Sequence, residues 1–186
     1  RELKLSWDEA VNYSAWLLTI TEWFWKDVNE TLRASANLMR NFWITWKESQ
    51  NIIIWTLQQT GDLYDDNLDT LNEYSTQFAK AGFSARDFSN ILIKGSQDWA
   101  FMLDKVWDAV KEAQVALVDN SKTTRDAFDM MWLDYDKFLK DLNDWNITIK
   151  DWMKLVNDKL KTLDDWIRGE VWTAIYKTKW EDLSEK

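Results

Sequence analysis

Between Phe128 and Trp166 an apolar residue falls at every seventh place: Phe128, Tyr135, Leu142, Ile149, Val156 and Leu163. Three residues later runs a second row, Met131, Phe138, Trp145, Trp152 and Trp166, broken by Lys159. Paired apolar positions on a seven-residue repeat are the mark of a long helix packed along a seam against other helices. This spacing predicts an all-α fold.

The same repeat extends upstream. Ser6-Trp7-Asp8-Glu9 reads as a helix N-cap with a capping box. From it run Val11, Leu18, Trp25, Leu32, Met39, Trp46 and Ile53, with a companion row of Ser14, Thr21, Val28, Ser35, Phe42, Ser49 and Thr56. That companion row is mostly small, and the bulky Trp of the last third are natural fillers for it. Thr60-Gly61-Asp62 suits a left-handed C-cap followed by a new N-cap, and Asp119-Asn120-Ser121 does the same. Gly82 and Gly95 look like local breaks, yet the seven-residue phase passes through both; a continuous helix and a break are both open there. At Gly169 the phase is lost. The expectation is one domain over residues 1–186, an antiparallel up-down-up bundle of three long helices at about 7–60, 62–119 and 122–168, with a kinked tail to about 182. In that bundle Trp145 and Trp152 are core, and either one changed to Ala should cost about 3 to 5 kcal/mol.

Composition narrows function by exclusion. The 186 residues include no Cys, His or Pro. Thiolate chemistry, disulfides and imidazole acid–base or metal chemistry are therefore absent, and no cofactor is expected. A net charge of −9 opposes binding to nucleic acid or an anionic membrane. No apolar run reaches the roughly 20 residues of a transmembrane helix, and Arg1–Ser6 lacks the apolar core of a signal peptide. The compartment stays open, soluble and cytoplasmic if the protein is natural or recombinantly expressed. The first residue is Arg, which fits a processed or trimmed chain.

Asp65-Asp66-Asn67-Leu68-Asp69 resembles the DDxxD motif of class I terpene synthases, which would imply magnesium diphosphate binding. A second metal motif and basic diphosphate ligands have no counterpart, and Asp enrichment opposing the macrodipole of a helix start explains the run better. The aspartates from Asp134 to Asp158 alternate with lysines at spacings of three and four, as surface ion pairs do. The reading is therefore non-enzymatic, with no catalytic, cofactor or metal residues.

The informative excess lies in aromatics. Tyr13, Trp16, Ile20 and Trp23 form a stripe on the side of the first helix away from the seam, and Trp172, Ile175 and Tyr176 form a shifted face after Gly169. Three readings are open for them: self-association or a wider fold that buries the stripe, binding to an apolar surface or partner helix, and a designed or tolerated patch.

Absence of Cys, His and Pro, an aromatic seam and short Gly or Asn turns resemble de novo designed helical bundles. That resemblance implies a structural bundle with no natural activity. The fragment Tyr74-Ser75-Thr76-Gln77-Phe78-Ala79-Lys80-Ala81-Gly82-Phe83 resembles phasins, which would imply an amphipathic coat protein that binds an apolar surface or a partner helix.

Overall fold

A computed structural model of the protein describes residues 5–61, 66–97 and 103–177. Every regular element among them is an α-helix: α1 Trp7–Phe24, α2 Val28–Phe42, α3 Trp46–Thr60, α4 Asn67–Lys80, α5 Ala85–Gln97, α6 Leu103–Val118, α7 Lys122–Met130, α8 Tyr135–Asn143, α9 Ile149–Leu160 and α10 Asp165–Tyr176. They fall into two compact units, Arg1–Leu103 and Asp104–Lys186. The all-α expectation is met, but three long helices are not present. Where the repeat predicts one helix over 7–60 there are three, and 122–168 is divided among α7, α8, α9 and the start of α10.

The breaks have a common construction. Trp25, Trp43, Trp132 and Trp145 hold φ of 55°, 55°, 55° and 59°, the left-handed conformation that Gly61 and Gly82 adopt at equivalent helix ends. A left-handed residue reverses the chain and lets its own amide and the next reach back to the last turn. At Gly82 the Phe83 amide bonds the Phe78 carbonyl at 3.0 Å and the Gly82 amide that of Ala79 at 3.1 Å. Trp132 repeats the pattern through Leu133 to Phe128 at 2.9 Å and Trp132 to Asp129 at 2.9 Å. Trp145 does so through Asn146 to Asp141 at 2.9 Å and Trp145 to Leu142 at 3.2 Å.

One to three residues on, a polar side chain opens the next helix. Asp27 accepts from the Asn29 and Glu30 amides, and Asp134 from that of Lys137. Thr45 with Glu48 and Thr148 with Asp151 close full capping boxes, as Ser6 and Glu9 do at the start of α1. Ser84 and Asp87 bond reciprocally in the same manner. Each cap satisfies amides that a helix start leaves open. Two glycines behave otherwise: Gly95 lies inside α5 and Gly169 inside α10. The turn expected near Gly169 comes earlier, after Leu160, where Arg168 donates to the carbonyls of Leu160 and Leu163 at 3.0 and 2.9 Å. Asn120 is left-handed at φ 53°, and Ser121 caps α7, as the spacing predicts. Asp62, Asp65 and the tail beyond Lys177 lie outside the described residues.

In the first unit α2 packs chiefly on α4 and α3 on α5, while α1 covers α2 and α3. Of the small residues in the companion row, Ser35, Ser49 and Thr56 are buried while Ser14 is exposed, and the buried hydroxyls meet other hydroxyls. Ser35 and Ser49 hydroxyls lie 2.7 Å apart between α2 and α3, and Thr56 and Ser89 2.7 Å apart between α3 and α5. Asn41 donates to Ser75 and Thr76 across α2 and α4 at 2.8 and 3.0 Å. Phe42, Phe78, Phe83 and Phe88 form a ring cluster, with Phe78 and Phe88 stacked at 4.3 Å.

The core of the second unit is aromatic. Phe128 stacks on Trp152 at 4.2 Å, Phe138 approaches that indole at 4.4 Å and Tyr135 meets Phe128 edge-on at 4.7 Å. Leu117, Met131, Val156, Val171 and Ile175 enclose them. Trp152 is thus core. Trp145 is not: it is 92% exposed, because the left-handed turn that ends α8 points its indole outward.

Two outcomes follow from this arrangement. Trp152→Ala should lower unfolding free energy by about 3 to 5 kcal/mol in urea denaturation, whereas Trp145→Ala should change it by less than about 1 kcal/mol. The second concerns acid. The backbone amides of Ser6 and Thr45 lower the Glu9 and Glu48 carboxyls, and the Thr148 hydroxyl and amide lower that of Asp151. A depressed folded-state value stabilises above the unfolded value near 4 and is lost as pH falls through the folded value. Melting temperature should therefore fall below about pH 4, and less steeply in Glu9→Gln/Glu48→Gln/Asp151→Asn, whose amides keep the caps without titrating.

Candidate functional site

The aromatic stripes expected to face a partner are largely folded inward. In α1 Tyr13 is 4% and Ile20 1% exposed, Trp16 is half-buried and Trp23 is 72% exposed. Tyr13 stacks on Trp16 at 5.5 Å and meets Trp46 of α3 edge-on at 6.2 Å. The Trp46 indole also donates to the Glu9 carboxylate at 3.4 Å. In α10 Ile175 and Tyr176 are buried, and half-buried Trp172 packs on Tyr176 at 4.2 Å. The Tyr176 hydroxyl donates to Asn157 at 2.9 Å, and burial pushes its phenol far above the usual range. Of these seven residues, Trp23 is the one that faces solvent.

Of the acidic run, Asp66 to Asp69 fall among the described residues. Asp66 precedes α4 in helical backbone conformation and makes no side-chain cap, Asn67 is buried and donates to Thr60 at 3.0 Å, and Leu68 is fully buried. Among the described residues no group of three or more carboxylates is placed to hold a metal ion. Shallow grooves lie on the surface of the described residues. One of about 300 Å³ lies between α7 and α10, lined in part by Thr123, Asp126, Glu170 and Lys177. Its Asp126 is paired with Lys122 at 2.8 Å, so no poised acid, base or nucleophile gathers there. Among the described residues no helix is long and apolar enough to cross a membrane.

The seven-residue rows conceal a different set. Trp25, Trp43, Trp132 and Trp145 are 93%, 93%, 79% and 92% exposed. Two rows place Trp25 and Trp145 in a seam, and the seam is what hides them. A readable signal exists in the local motif. Trp43-Ile44-Thr45-Trp46-Lys47-Glu48 and Trp145-Asn146-Ile147-Thr148-Ile149-Lys150-Asp151 each join a Trp to a capping box two or three residues on. A left-handed Trp is strained by about 1 kcal/mol or more relative to Gly. Its exposure forgoes the burial that usually justifies so large a ring.

Comparison with known families returns one match: the model for the phage-related minor tail protein family, over residues 5–176, which includes parts of both units. No curated protein and no solved structure matches the chain. The match points to a natural phage protein and overturns the resemblances to designed bundles and to phasins. The features that suggested design have physical sources in the fold. Pro is incompatible with helix interiors, and the abundance of Asp over Glu serves helix starts, where Asp27, Asp87, Asp134 and Asp151 all accept backbone amides. The chain belongs to the phage-related minor tail protein family.

Proposed function

We propose that this chain is a non-enzymatic structural part of a phage tail and works by assembling with other tail proteins, its own copies included. The family match over residues 5–176 carries this reading. Three features support it. The sequence lacks the Cys and His on which much enzyme chemistry depends. The described grooves gather no catalytic constellation. Large aromatic side chains stand in solvent, as Trp7, Trp23 and Trp166 do at 82%, 72% and 72% exposure, and exposed aromatics of this size suit contact with a partner. Binding through aromatic stripes, expected of the sequence, thus passes to a different set of residues, of which Trp23 alone was in the original stripe.

Antibodies against the purified chain should label tails, and not heads, when particles produced by the encoding phage are viewed by negative-stain electron microscopy. The chain should also be recovered by mass spectrometry in the tail fraction of dissociated particles. Finding it only in the host lysate, or only with heads, would overturn the assignment.

A further inference from the structure

Trp132 and Trp145 stand at the two ends of α8, both left-handed and both in solvent. Neither makes a ring or cation contact within its unit, although other tryptophans do: Lys47 lies over the buried Trp46, and Arg86 over the exposed Trp55. Aspartates flank both tryptophans in the sequence. From Asp129 to Trp145 there are five aspartates, at 129, 134, 136, 141 and 144, against Lys137 and Lys140. Asp136 is engaged by Arg125 at 2.8 Å and Asp141 by Lys137 at 3.2 Å. That leaves Asp129, Asp134 and Asp144 exposed and without an ion-pair partner.

The same helix shows how such a pair is filled. Arg125 lies over the Tyr135 ring at 4.8 Å while its guanidinium donates to Asp136 at 2.8 Å. A guanidinium is planar and weakly hydrated, so it can stack on an aromatic face and bond a carboxylate together. Trp132 lies between Asp129 and Asp134 in the sequence and Trp145 follows Asp144, the same residue types, with neither indole stacked on an arginine. Carboxylates at these places repel phosphate, which disfavours nucleic acid and anionic lipid.

We propose that the ends of α8 form a docking surface for arginine side chains of a partner protein, with Trp132 and Trp145 as stacking platforms and the adjacent aspartates as counter-charges. This does not rest on the tail assignment, and its test needs only the purified chain. A fluorescein-labelled peptide of four Arg-Gly-Ser repeats is titrated with the protein and followed by anisotropy, with Lys-Gly-Ser and Glu-Gly-Ser peptides beside it. The arginine peptide should bind best and the glutamate peptide not at all. Trp132→Gly/Trp145→Gly should weaken binding by roughly tenfold or more. Its thermal melt should be unchanged or higher, because Gly suits φ of 55° and 59°. Asp129→Asn/Asp144→Asn should weaken it severalfold and flatten its salt dependence. Failure of the arginine peptide to bind, equal binding by the double glycine variant, or equal binding of the glutamate peptide would overturn the proposal. So would phosphatidylcholine vesicle binding, or self-association in sedimentation, that is lost in the glycine variant while peptide binding persists.

Discussion

The fold depends on one local event repeated along the chain: a helix ends on a left-handed residue and the next begins on a side-chain cap a few residues later. The left-handed residue returns two amides to the last turn of the helix behind it, as at Gly82, Trp132 and Trp145. The cap then satisfies the open amides of the helix ahead, as Asp27, Thr45, Asp134 and Thr148 do. Without both halves, a Pro-free chain of apolar heptads has every reason to continue as helix. With them, helices stay at 18 residues or fewer and the chain can fold back on itself at short intervals.

Short helices need a core on several sides, and the two units meet that need differently. The first joins its helices through buried hydroxyl and amide pairs such as Ser35–Ser49 and Thr56–Ser89. In these pairs each buried hydroxyl meets another, so small residues let the helices approach closely without leaving those hydroxyls unpaired. The second unit relies on stacked rings, with Phe128, Phe138 and Trp152 at its centre. The outward turns leave large indoles in solvent as a direct result of the reversals.

Helical class, the Ser6–Glu9 capping box and the turns at Gly61 and Asn120–Ser121 are legible in the sequence, because each rests on a short-range signal whose chemistry is unambiguous. The other breaks are concealed by two coincidences. Trp25 and Trp145 keep the seven-residue phase although their rings face water, and Trp in a left-handed turn is a residue that propensity argues against. Asp27 and Thr148 are as readable as Ser6, but inside an unbroken apolar repeat they pass for surface polar residues. The stripe of Tyr13, Trp16 and Ile20 looks unpartnered only while α1, α2 and α3 are taken as one rod; once the chain turns at Trp25 and Trp43, α3 brings Trp46 onto Tyr13. Membership of the tail family was not legible from any motif, since no residue pattern in the chain carries a chemistry that names it.

The central claim is that residues 7–60 are three helices folded on one another. Because the chain has no Cys, nitroxide labels can be placed at Ser14→Cys and Gln58→Cys, both exposed, and their separation read by double electron–electron resonance. Since α1 packs against α3, with helices of 18 and 15 residues, the separation should fall below about 35 Å. A distance near 65 Å, the span of about 1.5 Å per residue along one unbroken helix, would contradict the account.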